Sequence, residues 1–136
     1  MFWNKIKDKL KEIRKEYFST GALWSETPCI NGKEHGIAKY YYPTGVLEWE
    51  IPAVNGKMHG SVKHYYESGA LRYEALYVDG AKHGISKNYY ESGALWWEIP
   101  YEDGKKHGVV KIYDESSALK MEILYENGES MGVIHA

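Results

Sequence analysis

The sequence has little that could crosslink the chain or cross a membrane. Of its 136 residues only Cys29 is a cysteine, which excludes an intrachain disulfide and a thiol-rich metal site. No apolar run is long enough for a membrane span or for the core of a signal peptide. We therefore expect a cytoplasmic protein. A chain of this length is expected to form a single domain.

The sequence also has few phenylalanines and a small net charge. There are 2 phenylalanines against 13 tyrosines and 5 tryptophans. Tyrosine and tryptophan suit half-wet surfaces, where one end of the ring is apolar and the other meets water. The net charge of −2 argues against nucleic-acid binding, for which a basic surface is expected.

The sequence does contain a repeat with a period of 24 residues. Residues 55–60 read Asn-Gly-Lys-Met-His-Gly and are followed by a Lys-x-Tyr-Tyr run, and the same pattern recurs before and after them. The glycines and histidines that keep the phase are Gly32, Gly56, Gly80, Gly104, Gly128, His35, His59, His83 and His107. A fixed period in this range indicates a repeat architecture.

Each unit holds two runs rich in Tyr, Trp, Ile, Leu and Val, separated by turn signals. Asn-Gly and Asp-Gly are strong hairpin signals, because both central residues of a type I′ turn need a positive φ. We predict an all-β repeat over residues 16–136, a single twisted antiparallel β-meander of about five hairpins. Residues 1–15 are predicted to form one N-terminal amphipathic α-helix, since apolar residues recur at helical spacing over residues 2–14.

The strand register follows from parity, because equivalent residues of successive units should share a face. A two-residue loop at residues 55–56 pairs Val54 with Lys57, and then Glu50 with Ser61. A second two-residue loop at residues 44–45 pairs Lys39 with Glu50. The favoured register also places Glu48 opposite Lys63. Glu48 then shares a face with a column of glutamates that keep the 24-residue phase, Glu26, Glu50, Glu74, Glu98 and Glu122.

Pro43 supports an alternative to that register. Proline suits position i+1 of a type I turn, which would be followed by a bulge at Gly45. This alternative requires compensating bulges at Gly36 and Gly60.

The repeated histidines and glutamates offer candidate chemistry, but their spacing argues against it. Equivalent residues lie two strands apart, about 9.6 Å at normal strand spacing. Ligands of one metal lie only about 2.0–2.1 Å from it, so we interpret the histidines and Gly56, Gly80 and Gly104 as structural turn residues. The glutamates of the column are interpreted as partners of the lysines. We predict no catalytic residues, no metal, no cofactor and no enzymatic activity.

The aromatic residues are the candidates for a binding surface. One column consists of Tyr41, Tyr65, Tyr89 and Tyr113. Trp24 and Trp96 occupy a position that holds other residue types in the remaining units, and Trp97 belongs to a second aromatic column with Trp49 and Tyr73. For the second column, packing on the sheet face competes with a binding role.

The motif Asn-Gly-Lys-x-His-Gly, with Lys-x-Tyr-Tyr-x-x-Gly-x-Leu after it, resembles the bacterial variant of the MORN repeat, a family often described as antitoxin-like. The resemblance covers residues 15–136. It departs from the standard repeat in its period and in the glycine expected two residues after His-Gly, which is Ala38 or Val62 in the first units. The family implies an elongated single-sheet scaffold used for protein or lipid contacts.

Two classes of function remain. The first is a protein-interaction module, antitoxin-like in role, that binds a partner protein or forms a homodimer. We expect the apolar face around Trp97 and the strand edge at residues 133–136 to mediate this association. The alternative is binding of a repeated polymer such as a cell-wall glycan, or of a membrane phospholipid surface.

Overall fold

The computed structural model describes residues 10–136, which form one antiparallel sheet of fifteen strands. The strands that follow one another across the sheet in chain order are β1 (Lys11–Tyr17), β2 (Leu23–Ile30), β4 (Gly36–Tyr41), β5 (Leu47–Val54), β7 (Gly60–Tyr65), β8 (Leu71–Val78), β10 (Gly84–Tyr89), β11 (Leu95–Glu102), β13 (Gly108–Tyr113), β14 (Leu119–Glu126) and β15 (Glu129–His135). Two-residue strands pair beside this path, namely β3 (Lys33–Glu34), β6 (Lys57–Met58), β9 (Ala81–Lys82) and β12 (Lys105–Lys106). The predicted β-meander of hairpins is confirmed.

The predicted N-terminal helix is wrong where the structure describes it. Residues 11–14 belong to strand β1, which pairs with β2 from Lys11↔Ile30 to Tyr17↔Leu23. Pairing with the sheet satisfies the backbone of this segment, whereas a short isolated helix is marginal in water. The rest of the helix prediction, over residues 1–9, lies outside the described residues.

The Asn-Gly and Asp-Gly turns have the predicted conformation. Asn55 and Gly56 have φ values of 50° and 83°, and Asp79 and Gly80 have 49° and 87°. Val54 pairs with Lys57 across the first of these turns, as predicted for a two-residue hairpin loop.

The opposite end of each hairpin follows the Pro43 alternative, so the favoured two-residue loop at residues 44–45 is wrong. The Tyr42 N–H donates to the Val46 carbonyl at 2.9 Å, and the Gly45 N–H donates to the Tyr42 carbonyl at 2.8 Å. Gly45 has a φ of 90°, and the register shifts after Tyr40. Pro43 cannot donate the hydrogen bond that a two-residue loop would require of it.

This bulge is balanced on the other side of the unit. Gly36 and Gly60 have φ values of 119° and 118°, and each is the first residue of the long strand that follows a two-residue strand. Glu50 therefore pairs with Lys63. The predicted pairs Glu50–Ser61 and Glu48–Lys63 are wrong.

One face of the sheet, here called the ladder face, carries a column of alternating Lys and Glu. The predicted pair Lys39↔Glu50 is confirmed, and the column runs through Lys15, Glu26, Lys39, Glu50, Lys63, Glu74, Lys87, Glu98, Lys111 and Glu122. Within residues 10–136 no lysine of this column lies within ion-pair distance of a carboxylate. The column marks the register of the strands, but the stability of the sheet has to come from contacts other than Lys–Glu ion pairs.

The buried side chains lie on the other face and are mostly small. Neighbours along a strand point to opposite faces, so Ala38, Val62, Ala75, Ser86, Ile99 and Val110, each adjacent to a residue of the column, point away from the ladder face. All of these are buried. A single sheet buries them because larger side chains on the same face stand on both sides of them.

Candidate functional site

The larger side chains form a groove that runs across the strands, here called the aromatic groove. The small buried residues form its floor. One wall lies two residues before the floor position, at Trp49, Tyr73 and Trp97. The other wall lies two residues after it, at Tyr77, Tyr101 and Tyr125. All of these wall residues are half-buried, so each ring presents part of its surface to solvent.

The first wall begins with a stacked pair. The Trp49 and His64 rings lie 4.1 Å apart at an angle of 15°, and His64 is the register partner of Trp49. Burial, followed by the nearby Arg72 guanidinium, lowers the pKa of His64. The imidazole is therefore neutral at pH 7 and acts mainly as an aromatic surface.

The second wall contains lysines as well as tyrosines. The Lys82 Nζ lies 4.8 Å from the centre of the Tyr101 ring and 5.5 Å from that of Tyr73. The Lys106 Nζ lies 4.9 Å from the centre of the Tyr125 ring. Ammonium groups at these distances from an aromatic face are attracted by the ring quadrupole.

A cavity of about 520 Å³ lies over the groove in its middle units. Its lining combines floor residues such as Ile51 and Val62 with Trp49, Tyr73 and Lys82 from the two walls. It is an open, shallow surface with aromatic and cationic groups facing solvent.

The family model for the MORN repeat variant matches four consecutive stretches of this chain, residues 34–55, 58–79, 82–104 and 106–127. Together these stretches cover more than half of the sequence. The chain belongs to the MORN repeat variant family. No curated protein matches it.

Among solved structures the chain is similar to TarM from S. aureus, in a mutant crystallised with fondaparinux, alpha-GlcNAc-glycerol and UDP, and to a second crystal structure of TarM. In both comparisons the identity is 12% and the TM-score is 0.47. The match covers 97% of this chain and 23% of TarM.

The tyrosine column that was predicted as a binding surface lies on the ladder face of the sheet. It consists of Tyr41, Tyr65, Tyr89 and Tyr113. The Tyr65 hydroxyl donates to Glu50 at 3.0 Å, and the Tyr89 hydroxyl donates to Glu74 at 2.8 Å. Two glutamates of the column, Glu50 and Glu74, thus accept hydrogen bonds from tyrosine. The structure separates this column from Trp97, which lies on the groove side of the sheet.

The second tyrosine of each Tyr-Tyr pair links one unit to the next. The Tyr66 hydroxyl donates to the Tyr89 carbonyl at 2.7 Å, and the Tyr90 hydroxyl donates to the Tyr113 carbonyl at 2.8 Å. The accepting carbonyls lie at the bulge, where the strand ladder is interrupted. These bonds explain why both tyrosines recur.

The repeated histidines and glycines join neighbouring turns. The His59 Nδ1 accepts from the Asp79 N–H at 3.2 Å, and His35 and His107 accept equivalent bonds at 3.4 Å. The N–H groups of the predicted turn glycines, Gly56, Gly80 and Gly104, donate at 2.8–3.0 Å to carbonyls in the two-residue strand that follows the preceding turn. His83 has the same place in its unit, and its N–H donates to the Leu76 carbonyl at 2.9 Å.

The variable tryptophans border the groove at the bulged end of the units. Trp24 meets Tyr40 edge-on at 5.8 Å, and Trp96 stacks on Tyr90 at 5.2 Å. Glu48, which is equivalent to them, reaches within 3.9 Å of the His64 ring. Its predicted placement on the ladder face is wrong, because the bulge turns this position towards the groove.

Trp97 is the predicted site residue that forms part of a groove wall. Its Nε1 is buried without a hydrogen-bond partner among the described residues. Five further groove residues were not predicted from the sequence: Tyr77, Lys82, Tyr101, Lys106 and Tyr125. The signal was present as an aromatic residue every 24 positions from Tyr77 onwards. The turn at residues 79–80 pairs Lys82 with Tyr77, but the contact of Lys82 with Tyr101 of the following unit does not follow from this hairpin register.

Residues 10–136 contain no helix long and apolar enough to cross a membrane. The same residues contain no group of three or more His, Cys, Asp or Glu that could hold a metal ion.

Proposed function

We propose that this MORN variant is a non-enzymatic scaffold whose aromatic groove binds a protein partner. The observation that carries the proposal is the composition of the groove walls, which combine Trp and Tyr with a floor of small residues. Trp, Tyr and Arg are the residue types that dominate binding energy at protein interfaces. A repeat sheet can present these aromatic side chains along its whole length without a further domain.

Several contacts support a role without catalysis. Of the repeated histidines and glutamates, His59 and His107 accept backbone hydrogen bonds from the following turn, and Glu50 and Glu74 accept hydrogen bonds from tyrosine. His64, a histidine on the groove side, is stacked on Trp49 with a lowered pKa. The groove is an open surface and lacks the depth that shields reacting groups from water.

Affinity capture with groove variants tests the proposal. The protein is immobilised as wild type, as the groove variants Trp49→Ala and Tyr101→Ala, and as the ladder-face control Ile85→Ala, whose side chain is 53% exposed. A captured protein is then purified and titrated against each form. We expect the groove variants to weaken binding at least about tenfold and Ile85→Ala to leave it unchanged.

The other predicted ligands are included as separate arms. Cell-wall glycan fragments and vesicles with anionic phospholipid are titrated against the same variants, and light scattering measures self-association. Groove-dependent binding of a glycan or a vesicle, with no protein partner, would contradict the proposal. An antitoxin-like role and a cytoplasmic location stay predictions, which co-expression with the captured partner and cell fractionation can test.

A further inference from the structure

Five residues in the later units alternate along the second wall, and we call them the tyrosine–lysine row: Tyr77, Lys82, Tyr101, Lys106 and Tyr125. Each lysine is the register partner of the tyrosine of its own unit, as in Tyr77↔Lys82 and Tyr101↔Lys106. Each ammonium group then reaches the ring of the following unit. The row therefore places two cations between three rings.

The earlier units lack this row. Cys29 and Ala53 occupy the tyrosine position, and Glu34 and Met58 occupy the lysine position. Both Cys29 and Ala53 are buried. The row is thus a local feature of the later units and is not needed to build a unit.

The lysines of the row have no carboxylate partner among the described residues. The ion pairs there involve other groups, for example Lys120 with Asp114 at 3.1 Å and His59 with Asp79 at 3.5 Å. Asp79 and Asp103 lie at the neighbouring turn edge, but neither forms an ion pair with Lys82 or Lys106. Two half-buried ammonium groups without a counter-charge favour an anionic ligand.

The spacing of the row defines the shape of that ligand. Equivalent residues lie two strands apart, about 9.4–9.8 Å. A polyproline II helix repeats every three residues with a rise of about 3.1 Å each, or about 9.3 Å. An extended β-strand returns to the same side every two residues, about 6.6–6.8 Å, and two turns of α-helix advance about 10.8 Å. Of these, polyproline II fits the row best.

The chemistry of the rings agrees with the spacing. Grooves lined with aromatic side chains bind proline-rich segments, because the polyproline II helix is preformed and loses little entropy on binding. Here the rings of Tyr101 and Tyr125 alternate with ammonium groups. A ligand with an acidic residue at every third position would place its carboxylates on the lysines and its prolines between the rings.

We propose that the tyrosine–lysine row binds an acidic, proline-rich segment of a partner protein in the polyproline II conformation, with a carboxylate at every third residue. The segment runs across the strands, parallel to the groove. This inference rests on the proposed function, and it names the chemistry of the partner.

Synthetic peptides test the inference directly. The ligand is a peptide of four Glu-Pro-Pro triplets, and its controls are the same peptide with Gln for Glu and a peptide with Glu at every fourth position. Each is titrated by calorimetry against wild type, against Lys82→Gln/Lys106→Gln, and against the ladder-face control Lys63→Gln/Lys87→Gln, which removes the same charge. Circular dichroism and thermal unfolding verify that all forms are folded.

We expect the Glu-Pro-Pro peptide to bind wild type and the ladder-face control equally. Binding to Lys82→Gln/Lys106→Gln should fall at least about tenfold, as should binding of either control peptide to wild type. Affinity should decrease with salt. Failure of the Glu-Pro-Pro peptide to bind, or equal binding to the row variant, would overturn the inference, as would row-dependent binding of only a sulfated glycan or anionic vesicles. The proposed function would survive that result if a captured protein still required Trp49 and Tyr101.

Discussion

The positions that recur in every unit and the positions that change between units perform different tasks in this sheet. The recurring residues, such as His59, Tyr89 and Glu74, form hydrogen bonds from one unit to the next. The changing residues, such as Ala53 and Tyr77, lie at equivalent places in the groove and differ in size and exposure. The recurring positions thus specify the sheet, and the changing positions specify the surface that it presents.

This division means that stability and binding should respond to different substitutions. Substitutions at recurring positions should lower the free energy of unfolding, because each unit depends on its neighbours in a repeat sheet. Substitutions at half-exposed groove positions should leave the fold intact.

The largest effect is expected at a recurring glycine that contacts a proline. Gly60 has a φ of 118°, and a Cβ atom there would lie 3.0 Å from the Pro52 Cγ. Gly60→Ala should therefore lower the free energy of unfolding by about 2–3 kcal/mol, through backbone strain and the contact together. Urea denaturation measures this change.

Gly84→Ala is the matched control for this substitution. Position 76 holds Leu where position 52 holds Pro, and a Cβ at Gly84 would have no atom within 4 Å. With a φ of 77°, this variant should lose only about 1 kcal/mol. Equal losses in the two variants would show that the proline contact contributes nothing.

A smaller effect is expected from a tyrosine hydroxyl on the ladder face. Tyr89→Phe removes the donor to Glu74 and leaves a half-buried carboxylate without that bond, so it should cost about 1 kcal/mol. Tyr125→Phe is the control in the groove, since the Tyr125 hydroxyl has no hydrogen bond to the described residues. Thermal or urea unfolding distinguishes the two, and an equal loss in Tyr125→Phe would contradict the division of tasks.

The same pair predicts a pH dependence. Burial, together with the hydrogen bond to Glu74, raises the pKa of Tyr89 from 10.0 to about 12. The fold favours the neutral hydroxyl, so its contribution is fully present below pH 10 and is lost as the pH rises towards 12. The stability of the wild type should fall over this window, and that of Tyr89→Phe should fall less. Unfolding curves from pH 9 to 12 test the difference.

The repeat made most of the sheet predictable from sequence. Asn55 and Gly56 specify a type I′ turn through local backbone chemistry, and the 24-residue period requires Lys39 and Lys63 to share a face with Glu50. These inferences depend only on parity and turn preferences. Segment 11–14 was mispredicted because its apolar spacing fits a helix, while pairing with β2 decides its conformation.

The groove was less predictable, because it depends on the positions of the two bulges in each unit. The turn at Pro43 and the bulge at Gly60 shift the register on opposite sides of the unit. At the first of these positions Glu48 is turned towards His64, and in the next unit Lys82 lies beside Tyr101 next to the equivalent glycine, Gly84. A sequence pattern gives the spacing of Tyr77 and its equivalents, but it does not give the side chains that reach them across the bulge.

The smallest effect is expected at Ser117, where one unit departs from the glycine that the others share. Ser117 has a φ of 69°, at the place of Gly45, Gly69 and Gly93. The Asp114 carboxylate accepts from the Ser116 N–H at 2.9 Å and the Ala118 N–H at 3.1 Å, which stabilises this loop without a glycine. Ser117→Gly should remove a strain of about 1 kcal/mol but increase the freedom of the unfolded chain, for a net gain of about 0.5 kcal/mol. The reverse change Gly93→Ser, in a loop without that carboxylate, should lose about 1 kcal/mol in the same denaturation assay. A loss of stability in Ser117→Gly would mean that the hydrogen bonds of Asp114 depend on serine at this position.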